Sequence, residues 1–427
     1  MLVSAGHEWL PSSMIAILLP LWALFVAVAL LVGGAGLLTT LLAVRGNLQG
    51  FGETTLGLIG SAYFVGFFIG TYLAPRLIAR IGHVRAFAMC AALATCSVLL
   101  QALWIYPQAW MLLRVISGMA LVGLYTTIES WLNAQAPAHQ RGQIFATYIV
   151  INLSALAAGQ QLLRVAPVQS AELFIIVAIL LCVALVPVTW TRLTQPSIAD
   201  VVGYPLRRLW QQAPSAAAAA VLNGLAMGAY WPMVPLFAAQ IGMDSAAIAG
   251  FISVSIIGGA VMQWPLGRWS DRSDRRLVLA LVSGASAAVA IAMALSASSP
   301  SLRLLIVFAY GALAFSIYPI SVAHLMDRLQ PQEGLSGISR FLLLYGIGAA
   351  IGPAIAGIAM HYFGAAALFA LFAITQGGLA IFVGIRIRRR SGEVALASHF
   401  VPMLRTTPTA LEMVADRENH EDERFAS

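Results

Sequence analysis

The chain has 427 residues, 60% of them hydrophobic and only 10% charged, and its 24 basic and 17 acidic side chains give a net charge of +7. Soluble domains carry about a quarter charged residues, and a chain of this length could not bury so much apolar surface. The composition therefore excludes a soluble globular protein and calls for lipid as solvent. The basic excess does not indicate nucleic acid, because the arginines (the chain has no lysine) cluster at the ends of apolar runs.

A helix that crosses hydrocarbon needs about 20 mostly apolar residues. The first such run, Met14 to Val44, lacks a basic leading segment and is too long for the apolar part of a signal peptide. It is read as a retained first span, 15–43. Further spans follow at 55–78, 84–105, 109–133, 142–164, 170–190, 215–239, 246–268, 277–297, 302–327, 335–360 and 365–386. The fold class is therefore an all-α membrane protein with twelve transmembrane helices. Most separators are short and carry turn chemistry, such as Gly46-Asn47, Gly82-His83 and Ala136-Pro137.

The separator 191–214 is longer. It holds Pro196, Pro205 and Pro214, and a basic amphipathic stretch from Leu206 to Gln212 whose Trp210 suits a membrane surface. It divides 1–190 from 215–390, two candidate six-helix bundles joined by a cytoplasmic linker. The tail, 391–427, is polar and acidic near its end, and is expected to be a disordered cytoplasmic segment.

Arginine sets the orientation. With the N-terminus inside, seventeen arginines fall in cytoplasmic connections or just after the last span, while Arg45, Arg164 and Arg303 alone fall outside. That asymmetry follows the positive-inside rule and supports an even number of spans.

A shift of about 193 residues superposes Gly57 on Gly250, Gly66 on Gly259 and Gly159 on Gly352. With one residue of slip, Arg80 falls on Arg272. The shared offset, with the break near residue 200, indicates two pseudo-symmetric six-helix bundles around a midplane site.

The strongest local signal is Gly267, Asp271, Arg272, Arg275 and Arg276 in the connection between spans eight and nine. A carboxylate at the membrane surface can pair with an arginine from a neighbouring helix end, holding that face in one packing and releasing it in another. The same arginines also enforce topology, and both readings stand. Asp327, at the cytoplasmic end of span ten, is a candidate partner for Arg275 or Arg276. In the matching first-half connection, Pro75 to His83, Arg80 and Gly82 survive but Ala79 replaces the acid.

These residues resemble the major facilitator superfamily (MFS) signature G-x-x-x-D-R-x-G-R-R, with Asp274 in place of the second glycine. Ser61-Ala-Tyr63, Glu129-Ser130, Gln263-Trp264-Pro265, Tyr318-Pro319 and Gly346 through Pro353 extend the resemblance over essentially all twelve spans, and together they look like the bacterial YcaD-like permeases, a looser match that implies no particular substrate. The resemblance implies a small-molecule transporter without cofactor, a functional monomer in the lipid of a bacterial inner membrane. Arg114-Val-Ile-Ser117-Gly118 resembles the family's R-x-x-q-G motif, which implies a part for Arg114 in proton or substrate coupling. In span five, Gln160 replaces the proline of the antiporter-type motif, which weakens a drug–proton antiport reading.

Intramembrane charges mostly face the bundle interior. Arg114 lies roughly 9 Å inside the outer boundary at 1.5 Å per residue, with snorkelling to the interface as the alternative. Glu129, about one turn from the cytoplasmic end of span four, is expected to pair with Arg80 or Arg85, with a proton-acceptor role as the alternative. His324 is a candidate proton carrier or a hydrogen-bonded structural residue. Tyr63, Arg114, Tyr148, Asn152, Asn223, Tyr230, Trp231, Gln263, Tyr318 and Tyr345 are the polar and aromatic candidates for a substrate site. Because no carboxylate falls at the centre of a span, a neutral, amphipathic or anionic substrate is favoured over a strongly cationic one.

No residue is read as catalytic, cofactor-binding or metal-ligating. Cys90, Cys96 and Cys182 sit in apolar runs without ligand spacing, and no phosphate-binding glycine-lysine loop is present. The expected function is secondary transport by alternating access, driven by protons. The alternatives are a facilitative uniporter, a non-transporting sensor or a membrane enzyme, the last requiring a polar cluster at one face that scattered histidines do not supply.

Overall fold

The computed structural model describes residues 21–136, 140–190, 205–295, 300–330, 333–389 and 403. The start of the first apolar run, most of the linker and the tail expected to be disordered lie outside the described residues, Met403 excepted.

Among the described residues, twelve helices are long and apolar enough to cross a membrane. They are α1 (Trp22–Leu48), α2 (Glu53–Ile81), α3 (His83–Leu103), α4 (Pro107–Gln135), α5 (Arg141–Gln161), α6 (Glu172–Trp190), α7 (Pro214–Gln240), α8 (Ser245–Arg272), α9 (Arg275–Leu295), α10 (Pro300–Met326), α11 (Gly334–Phe363) and α12 (Ala367–Arg389). Each falls on a span expected from hydrophobic length, and no strand occurs among the described residues. Pro107 and Pro214 open α4 and α7 at a position where a missing N–H costs nothing. Helix α6 breaks at Ala184, where Pro187 cannot donate to the Val183 carbonyl. Leu206–Gln212 forms the short linker helix.

The packing repeats with a shift of six helices. In the first bundle α1 packs on α5 and α6, α4 on α2 and α3, and α3 on α6. The second bundle has the same set: α7 on α11 and α12, α10 on α8 and α9, and α9 on α12. The glycines of the repeat serve equivalent crossings in two of three cases. A Cβ on Gly159 would strike Gly33 of α1, and one on Gly352 would strike Leu225 of α7. Gly66 lies against Val115 of α4, and Gly259 against Phe315 of α10. The third pair has separated, since Gly57 is crowded by Pro353 and Gly357 of α11 while Gly250 has open space.

Side chains such as Leu112, Val150, Ile374 and Ile381 project outward, more than 60% exposed. That is the expected state of surface meant for lipid rather than water. The helix ends at Ile81, His83, Gln135, Arg141, Arg272, Arg275 and Arg389 share one side, called here the arginine-rich face.

The bundles meet mainly near the other side, the opposite face. There α2 packs on α11, α5 on α8 and α1 on α7. Gly57 and Gly357 let the α2 and α11 backbones touch, which any larger residue would prevent. Glu53 accepts a hydrogen bond from Gln240 of α7 at 2.8 Å and lies 3.4 Å from His361 of α11. The Ala354 N–H donates to Ser61 at 3.1 Å. Across α5 and α8, Gln161 donates to Ser253 at 2.6 Å, and Ser253 donates to the Ala157 carbonyl at 3.0 Å.

Candidate functional site

Behind this seal a cavity of about 170 Å³ lies between the bundles, walled by α1, α2, α4 and α5 on one side and α7, α8, α10 and α11 on the other. That is room for roughly ten waters, and hence for a small organic solute. Tyr63, Arg114, Tyr148 and Asn152 line it from the first bundle, and Asn223, Tyr230, Trp231, Tyr318 and Tyr345 from the second. Gln263 does not join them. It is buried on α8 with its amide unpartnered and lies outside the cavity wall.

Helix α4 brings two opposite charges to the same wall. Arg114 and Glu129 are fifteen residues apart, which is close to four whole turns, so both side chains face the cavity about 22 Å apart along the axis. Arg114 is 2% exposed. Its guanidinium carbon lies 4.2 Å from the centre of the Tyr63 ring, a cation–π contact. The Nε atom has no hydrogen-bond partner. Arg114 also borders a void of about 10 Å³ on the sealed side, enough for a single water, so it forms the cavity floor.

Near the arginine-rich face the Tyr148 hydroxyl donates to the Glu129 carboxylate at 2.5 Å, and the Asn152 amide donates to the Tyr148 carbonyl. Arg80 and Arg85, the partners expected for Glu129, are exposed at the helix ends. The helical phase of α4 turns Glu129 away from them and into the cavity. A carboxylate therefore lines this space, near the arginine-rich end of α4 rather than at the centre of the span. Thr40 and Gln160 add a second polar pair, the hydroxyl donating to the amide oxygen at 2.6 Å.

The arginine-rich face carries a separate arrangement. Arg275 is 7% exposed and bridges two carboxylates, Asp271 at 3.0 Å and Asp327 at 2.9 Å. It thereby ties the end of α8 to the start of α9 and the end of α10. Arg276 instead holds Asp274, its backbone N–H donating at 2.9 Å and its guanidinium at 3.1 Å. Asp274, at the glycine position of the expected signature, thus caps α9. Burial would raise its pKa, but these hydrogen bonds hold the carboxyl below its usual value. Arg272 is exposed, and His324 is buried on α10 away from the cavity.

In the first bundle the offset of Arg80 to Arg272 places His83 at the position of Arg275. His83 is buried there, with Nε2 3.1 Å from the Ser130 hydroxyl and its ring 5.3 Å from that of Trp131. Neither His83 nor Ser130 stood out as paired in the sequence, although both lie within quoted motifs.

The profile of the Major Facilitator Superfamily matches residues 13–212 and 216–409. The chain belongs to the Major Facilitator Superfamily. Among superfamily relatives, an uncharacterised MFS-type transporter, YcaD, of Escherichia fergusonii is 26% identical over 355 residues, covering 81% of this chain and 92% of the relative. One of Enterobacter sp. (strain 638) is 25% identical over 376 residues, covering 86% and 96%. The structure of the nucleoside transporter NupG superposes with a TM-score of 0.74 at 15% identity, covering 87% of this chain and 100% of NupG. A bacterial homologue of the human lysosomal transporter Spinster, inward-facing and unoccupied, gives 0.67 at 14% identity, covering 98% and 99%. At that identity these structures establish the superfamily fold, and the chain is a membrane transporter of that fold. Within it, the ion bridge of the signature loop is present in the second bundle and replaced by the neutral His83–Ser130 pair in the first.

Proposed function

We propose that the protein is a proton-coupled secondary transporter of a small solute, working by alternating access in a bacterial inner membrane with both chain ends cytoplasmic. The observation that carries this is a cavity walled by both bundles and sealed at one face by the reciprocal pairs α2–α11 and α5–α8. A rocking motion that opens these pairs and closes the other end would expose the same walls to the other side. The arginine excess supports a cytoplasmic arginine-rich face, and on that orientation this conformer is inward-facing.

Glu129 supports proton coupling. It is a buried carboxylate whose hydroxyl partner Tyr148 sits on another helix. Movement of α5 relative to α4 would change the stability of its charged form. In this scheme Arg114 binds the solute and Glu129 carries the proton, while Arg275 with Asp271 and Asp327 steadies the cytoplasmic end.

Two measurements test the reading. Spin labels on Arg85→Cys and Leu277→Cys report the arginine-rich face, and labels on Leu103→Cys and Leu295→Cys report the opposite face. The two distances should exchange in opposite senses in liposomes, and one fixed distribution at both faces would sink alternating access. For coupling, proton uptake that accompanies solute flux should vanish in Glu129→Gln. Flux that ignores a proton gradient in the unmodified protein would identify a uniporter instead.

A further inference from the structure

The cavity floor contains a charge that no described residue neutralises. Among the described residues Arg114 has no ion-pair partner, and its Nε is buried without a hydrogen-bond partner. The carboxylate that the described residues bring to the cavity wall, Glu129, is about 22 Å away along α4 and already bonded to Tyr148. A buried guanidinium without a counter-charge is costly. The groups around it do not offset that cost beyond the Tyr63 face.

The surrounding chemistry is aromatic. Counted from the opposite face, Arg114 is seven residues into α4, Tyr63 ten residues into α2, and Trp231 nine residues before the end of α7. These positions correspond to similar depths, about 10 to 15 Å. Trp231 stacks on Phe315 with ring centres 5.6 Å apart, and Tyr230 meets Phe315 edge-on at 5.3 Å. All four of these aromatic residues line the cavity. Asn223, also on the wall, has neither amide atom partnered.

We propose that the closed end of the cavity binds an aromatic organic anion, with its carboxylate on Arg114 and its ring among Tyr63, Tyr230, Trp231 and Phe315. This rests on the transport reading and adds its substrate class. Charge selects the anion, because Arg114 is the only cation on the wall among the described residues and arginine pairs with carboxylates through two parallel hydrogen bonds. Ring selectivity follows from the aromatic surfaces that line the same cavity from both bundles. A plain inorganic anion would satisfy Arg114 but leave those surfaces unused.

The test is calorimetric titration of the full-length protein in nanodiscs with 1-naphthoate, the isosteric 1-naphthamide, 1-naphthylmethylammonium and chloride. Naphthoate should bind at least tenfold more tightly than the amide, and the ammonium no better than the amide. Chloride should not displace naphthoate at equal concentration. Arg114→Gln should make naphthoate and the amide equivalent, and Arg114→Lys should restore part of the preference. The proposal is overturned if the amide matches the acid, if chloride competes equally, if naphthoate does not bind, or if Arg114→Gln keeps the preference. The comparison of ligands on the unmodified protein holds even should a variant misfold. Spin-label exchange needs no anion, so exchange without naphthoate binding removes only the substrate class, whereas a static protein removes the transport reading.

Discussion

Removing the Asp327 carboxylate should destabilise the second bundle through a defined charge. Arg275 and Asp327 side chains are 7% and 5% exposed, with 2.9 Å between them. Breaking a buried pair from one side strands the remaining charge, at a cost of about 3–5 kcal/mol. Asp271 stays 3.0 Å from Arg275 and is itself 29% exposed, so part of the compensation survives. The expected cost of Asp327→Asn is roughly 2–3 kcal/mol, and of Asp271→Asn only about 0–1 kcal/mol, since that partner is solvated. Arg275→Met with Asp327→Leu removes both charges and should recover most of the loss, because apolar replacements of a buried pair are often neutral or better. Unfolding in mixed micelles titrated with sodium dodecyl sulfate measures each step of the double-mutant cycle. The reasoning is refuted if Asp327→Asn lies within about 0.5 kcal/mol of the parent, or if the double variant shows no recovery.

The corresponding change in the first bundle should be milder: Ser130→Ala removes a neutral hydrogen bond to His83, worth about 1 kcal/mol in the same assay. Gly57→Val should wedge α2 from α11, since even a Cβ collides with the Pro353 carbonyl and lies 3.1 Å from the Gly357 backbone. The check is thiol labelling of Thr39→Cys from the opposite face, which should rise several-fold; an unchanged rate would show that the seal is carried elsewhere. Met403 is 2% exposed and lines the cavity although the preceding helix ends at Arg389. Met403→Asp should therefore speed labelling of Asn223→Cys from the arginine-rich face, and no change would mean that Met403 does not restrict access.

Residue type alone carried much of the site. Polar and aromatic side chains in a membrane helix are costly against lipid and turn toward the interior. For that reason Tyr63, Asn152, Asn223 and Trp231 reach the cavity wall from three different helices. Gln263 obeys the same rule but faces a different part of the interior, which composition cannot distinguish. Helix ends were readable from hydrophobic length and from Pro107, Pro214 and Gly82, whereas helix rotation was not. The spans are apolar nearly all round, so no stripe announces which side faces the partner. Glu129 shows the consequence: distance from the helix end pointed to Arg80, while its angular position points to Tyr148. The seal was equally hidden, because Glu53, Gln240 and His361 converge from three helices that are remote in sequence.

Arg114 and Glu129 ride on one unbroken helix, and this has an electrical consequence. When α4 shifts along the membrane normal, a positive and a negative charge move together in the same direction, and their work against the potential cancels while Glu129 is ionised. Once Glu129 takes a proton, the same shift carries a net positive charge, and each elementary charge moved across the full field changes the energy by about 2.3 kcal/mol per 100 mV. An anion seated on Arg114 restores neutrality. Voltage would then act on the protonated, solute-free carrier and leave the fully loaded one nearly insensitive, which makes the membrane potential a selector among its states.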